Sequence, residues 1–239
     1  MIYRGPFDRE AWPEKLVANV VEPAEVPRVH GYAIDAIAPR GIAELAWLAL
    51  FGELPTAEQR EAFEFAAVLL APLHVGDAPT HAAMISRIGA APPTTTLAIG
   101  AIGLGELVRH ELAQLGPWLA ELRAAEAKRA LPDPFTLPAV DARDDVARDR
   151  APTDETRALQ HAAAKYRALP DVPLARVAIA YAILDGVVPR IPLALETIAI
   201  WARLPLLAAE VARVEVGAIR SYPARLPDYH YVDSEGAAP

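Results

Sequence analysis

Apolar residues in this chain gather in long stretches, either three and four apart or filling the stretch, and strict alternation is scarce. That pattern is helical. Residues 42–51 form an apolar segment between Gly41 and Gly52, and Pro55-Thr56 opens the next, where Thr56 and Gln59 have the spacing of a capping box. This second helix runs through Phe63, Phe65, Val68 and Leu69 to Pro72, with Glu58, Arg60, Glu61 and Glu64 on its wetter side. Further helices are expected over 79–88, 95–115, 117–130, 154–169, 173–185, 192–203 and 205–216. Several begin with proline, which suits the first helical turn. Residues 177–184 and 197–201 are apolar nearly all round, as in helices buried inside a large all-α core. Arg213–Val216 reads as the end of a helix rather than a strand.

Composition sharpens this picture at one point. Proline accounts for 23 of 239 residues, roughly double the usual ~5%, and most of it punctuates helices. Pro132, Pro134 and Pro138 do not, and the charged run Asp141–Arg150 after them reads as a long connecting loop. Residues 220–232, rich in Pro, Tyr and Arg, read as an extended tail. At 53% hydrophobic residues and mean hydropathy +0.18, the chain has a large core or an apolar surface for a partner.

Charge and residue types then remove several chemistries. A net charge of −8 and a pI near 5.3 oppose binding to a phosphate backbone. With no cysteine there are no disulfides, zinc thiolates or thiol nucleophiles. None of the three lysines, Lys15, Lys128 and Lys165, lies in a phosphate-binding loop. The start lacks a secretory pattern, and Pro92-Pro93 interrupts the longest uncharged run, so a cytoplasmic protein without a membrane span is expected. His74, Asp77 and His81 are spaced for a metal but lack the second pair of ligands that metal motifs carry, so no metal site is expected. Gly100, Gly103 and Gly105 lie inside a helical pattern without a preceding strand, which favours close helix contact over a dinucleotide loop.

Residues 31–35 (Gly-Tyr-Ala-Ile-Asp), the helix at 42–50 and Phe51-Gly52-Glu53-Leu54-Pro55-Thr56 together resemble the amino-terminal signature of citrate synthases. The likeness continues from His74 to Arg87, through residues 199–205 around Arg203, and into 225–232 around Arg225. At this length the chain is most similar to the short citryl-CoA lyase-like branch. The resemblance implies an all-α citrate synthase-like fold, with a large domain (1–105 and 186–239) and a smaller helical domain (106–185) around a cleft. It also implies a coenzyme A thioester as substrate rather than a permanently bound cofactor, a small carboxylic acid as second ligand, and a homodimer or a heteromer with a paralogue. By position, His74 matches the histidine that polarises the substrate, and Arg203 and Arg225 match arginines that hold its carboxylates.

Other positions depart from the family pattern. Residues 103–108 lack the histidine that stabilises an enolate, 144–148 carry acids where bases stand, and 176–178 (Arg-Val-Ala) lack the aspartate base. General acids and bases each contribute about 10²–10⁴-fold, so the resemblance implies altered or lost carbon–carbon bond chemistry. In the altered case Glu106, Asp144 or Asp145 would replace the missing carboxylate. In the lost case the chain would be a non-catalytic subunit beside an active paralogue, and a helical binding protein outside the family is the third reading.

Overall fold

The computed structural model describes residues 20–22, 25–74, 76–127, 154–171, 174–191, 193–214 and 216. It opens with a small antiparallel meander, β1 (Val21–Glu22), β2 (Arg28–Val29) and β3 (Tyr32–Ala33), in the order β1-β2-β3. Both residues between β2 and β3 have positive φ, His30 at 46° and Gly31 at 82°, which is the two-residue turn that suits a hairpin's twist. Arg28 Nη1 donates to the Gly31 carbonyl at 2.8 Å. The His30 ring lies 3.3 Å from the Ala49 carbonyl, fixing the hairpin to the next long helix.

After the short α1 (Ile34–Ile37) come α2 (Ile42–Phe51) and α3 (Ala57–Leu70). Gly52 ends α2 in the left-handed region at φ 78° and donates its N–H to Leu48, the conformation for which glycine is preferred at helix ends. Thr56 and Gln59 form both bonds of a capping box at the start of α3. Helix α4 is Ala78–Ile88.

Two expected breaks do not occur. Helix α5 is one element, Pro93–Ala127, with Pro117 inside it, and α8 is one element, Ala194–Arg213, with Pro205 inside it. Interior proline costs about 3 kcal/mol through a lost hydrogen bond and a clash. Here burial on both sides of each proline outweighs that cost: Leu104 and Val108 before Pro117, Trp118, Leu119 and Leu122 after it, and Ile198, Ala199 and Ala202 before Pro205, with Leu207 and Val211 after it. Helices α6 (Asp154–Ala163) and α7 (Arg176–Val187) are placed differently from the sequence expectation, α6 ending six residues early and α7 starting three late and ending two late.

The core follows from the sequence pattern. Every residue from Val177 to Leu184 on α7 is buried, and α3 packs along it. Phe63 stands edge-on to Trp47 at 5.7 Å and stacks on Trp201 at 5.7 Å, which joins α2, α3 and α8. Burying each large side chain of this kind stabilises by about 1.5–3 kcal/mol. A second cluster, Ala83, Leu104, Leu207 and Val211, joins α4, α5 and α8. Glycine makes that junction close: a Cβ on Gly103 would lie 2.9 Å from Pro79 Cα, and one on Gly100 2.6 Å from Leu207 Cδ2. Among the described residues, no helix is long and apolar enough to cross a membrane.

Candidate functional site

Arg203 sits on α8 at 2% exposure. A guanidinium in that position needs a counter-ion, and this chain supplies one: Nη2 donates to both carboxylate oxygens of Glu111, each at 2.9 Å. Glu111, on α5, is 4% exposed and also accepts a bond from the Tyr181 hydroxyl of α7 at 2.9 Å. Three helices thus close a buried charged triad. Burial by itself would lower the Arg203 pKa, but the Glu111 carboxylate offsets this and holds it above the usual arginine value. Burial, reinforced by the Glu111 charge, pushes the Tyr181 phenol well above its ordinary range. Arg203 Nε and Nη1 are buried without a hydrogen-bond partner.

Sequence spacing does not pair Glu111 with Arg203, because 92 residues separate them. One signal was present. It continues the buried row of Leu104 and Val108 along one face of α5, and a carboxylate in an apolar row at helical spacing requires a buried partner.

His74 lies elsewhere, in the turn between α3 and α4. Its side chain is exposed, and Nδ1 accepts a bond from the Gly76 N–H at 3.0 Å. Its own backbone N–H donates to Asp77 Oδ2 at 2.7 Å, fixing the turn that starts α4. Asp77 is buried, and its Oδ1 has no partner. Among the described residues no group of three histidines or carboxylates is placed to hold a metal. Glu106 is an exposed residue of α5 that pairs with Arg109 one turn on. No hydrogen bond or ion pair joins His74, Glu106 and Arg203 to one another among the described residues. Asp144, Asp145 and Arg225 lie outside the described residues, as do Pro132, Pro134, Pro138 and the tail at 225–232.

Three surface cavities of about 320, 390 and 380 Å³ are lined by other residues, namely those of α6, of the α7–α8 turn against α5, and of α3 near Lys165.

The helices define an all-α protein with a citrate synthase/citryl-CoA lyase-like fold. The structure of citryl-CoA lyase from Hydrogenobacter thermophilus superposes with a TM-score of 0.54 at 17% identity, covering 94% of this chain and 96% of that one. ATP citrate lyase from Methanothrix soehngenii, in complex with citrate and coenzyme A, gives a TM-score of 0.49 at 12% identity over 96% of this chain. A Methanosaeta concilii ATP citrate lyase variant in complex with (3S)-citryl-CoA gives 0.49 at 11% identity over 92%. This chain spans 44% and 43% of those two proteins. No protein-family model matches the sequence, and no curated protein matches it.

Proposed function

We propose that this chain keeps a citryl-CoA lyase-like scaffold while having lost the carbon–carbon chemistry, and that it works as a non-catalytic subunit beside an active citrate synthase-like paralogue or a second copy of itself. One observation carries the reading. Arg203, which the family resemblance makes the holder of a substrate carboxylate, is already engaged by an internal carboxylate, Glu111, at 2.9 Å. A buried, charge-compensated guanidinium has little further attraction for an anionic ligand, since the pair is close to neutral seen from outside. The absence of an aspartate at 176–178 and of a histidine at 103–108 supports the same conclusion, because proton abstraction has no carboxylate base there and the enolate no histidine donor.

In this reading His74 is a turn residue and Glu106 a surface charge, and a coenzyme A thioester or a citrate-like polycarboxylate is at most a ligand. The reading keeps a large unit at 1–105 and 186–239 and a smaller one at 106–185, with α5 running from one into the other. The same reading has the protein working in the cytoplasm.

The test incubates the purified full chain with (3S)-citryl-CoA, following acetyl-CoA and oxaloacetate, and, separately, with acetyl-CoA plus oxaloacetate, following free CoA and citrate. No product above the enzyme-free rate is expected, and turnover by the chain alone overturns the proposal. Solution mass adds an independent arm: a stable monomer, alone and after mixing with a citrate synthase-like paralogue, overturns the subunit role.

A further inference from the structure

The 390 Å³ cavity lies between the second half of α5, the turn joining α7 to α8, and the first turn of α8. None of Arg203, Glu111, Tyr181, His74 and Glu106 lines it, and its size falls in the roughly 300–1,000 Å³ range of small-molecule sites. Leu112 and Leu119 from α5, Val188 from the turn and Leu195 from α8 give it apolar walls. Gly116 leaves one side open, since a Cβ there would meet nothing within 4 Å.

Four charged side chains line this space, and they fall into two groups. Asp185 is already compensated: its Oδ2 lies 3.1 Å from Arg167 Nη1 and 3.4 Å from Arg123 Nε, and the Asp185 side chain is 8% exposed. Arg190 and Glu196 are different, because neither forms a hydrogen bond or an ion pair with any described residue. One unpartnered cation and one unpartnered anion therefore border an apolar cavity, and they do not neutralise each other.

A ligand that satisfies all three features carries a carboxylate, an ammonium group and an apolar body. From this combination we infer that the cavity binds a free amino acid with a large apolar side chain, its carboxylate on Arg190, its ammonium on Glu196 and its side chain against Leu112, Leu119, Val188 and Leu195. A plain fatty acid leaves Glu196 facing its anionic end, and an alkylamine leaves Arg190 uncompensated. Arg123 keeps its Nε on the Leu119 carbonyl at 3.0 Å and so holds the cavity floor rather than the ligand.

The experiment titrates L-leucine and L-phenylalanine into the full chain by calorimetry, with glycine, 4-methylpentanoate and isopentylamine as partial ligands. The two apolar amino acids should bind saturably, and each partial ligand about tenfold or more weaker, since 4-methylpentanoate and isopentylamine each lose a charge-assisted hydrogen bond and glycine loses the apolar burial. Arg190→Ala should weaken leucine and 4-methylpentanoate equally and leave isopentylamine unchanged, and Glu196→Gln should weaken leucine and isopentylamine and leave 4-methylpentanoate unchanged. Gly116→Phe, which fills the opening without a backbone clash, should abolish binding while the far-ultraviolet dichroism stays unchanged. Absence of saturable leucine binding, equal binding of glycine, or undiminished binding in Gly116→Phe overturns the inference.

Discussion

Replacing Glu111 with glutamine keeps the shape of the triad and removes its only negative charge. Arg203 is then left at 2% exposure with a neutral partner, and Nε and Nη1 were already without one. Removing one member of a buried ion pair costs about 3–5 kcal/mol, because the remaining charge is uncompensated in a poorly polarisable interior. A native domain is stable by about 5–15 kcal/mol in total, so Glu111→Gln should lower the urea midpoint strongly with little change in slope. The charge argument makes a second demand. Arg203→Met in the Glu111→Gln background removes the stranded cation, so the double variant should lose less stability than the two single losses added together, with a coupling of about 2 kcal/mol or more. If Glu111→Gln lies within about 0.5 kcal/mol of the parent, or the two losses simply add, the triad is not a compensated buried pair and the account of Arg203 fails.

Gly103→Ala should destabilise by about 1–3 kcal/mol, because its Cβ meets the Pro79 backbone at 2.9 Å. Gly105→Ala on the same helix, with open space around it, should stabilise by about 0.5–1 kcal/mol, and thermal melts of the pair distinguish packing from helix propensity. Thr56→Ala removes the side-chain half of the α3 capping box and should cost about 1 kcal/mol by urea titration. Tyr181 gives a pH signature: its folded pKa is raised, so its contribution is complete below the ordinary phenol value of 10.0 and is lost as pH rises beyond it. Stability should fall there by up to ~1.4 kcal/mol per pH unit for this one group. Absorbance at alkaline pH should show one tyrosine ionising only on unfolding, and Tyr181→Phe should remove that component.

Local signals carried most of the fold. The Thr56–Gln59 box, Gly52 as a helix stop and the all-round apolar run of α7 each act within a few residues, and each stands where the sequence places it. Pro117 and Pro205 misled because proline's cost is local and small beside the burial of Trp118, Leu122 and Leu207 that flanks it. The β2–β3 hairpin was missed for a related reason: strands of two residues have no alternation to detect, and only His30-Gly31 marks the turn. Of the site, Arg203 was legible as a residue but not its partner. Glu111 and Tyr181 reach it from two other helices, and only the packing of α5, α7 and α8 makes an acid in an apolar row and a tyrosine in an apolar run into one unit.

The packing of α3 along α7 has a consequence for how the chain is made. Arg176 at the start of α7 bonds the Leu69 carbonyl near the end of α3, across 107 residues of chain. Closing a loop of that length costs about 4 kcal/mol of chain entropy before any contact returns it. Trp47 and Phe63, each 1% exposed in the folded protein, stay without their α7 and α8 neighbours until those helices have left the ribosome. The amino-terminal helices therefore spend most of synthesis as an apolar surface awaiting its cover. Folding should be slow for a helical protein, and sensitive to chaperone supply in proportion to that delay.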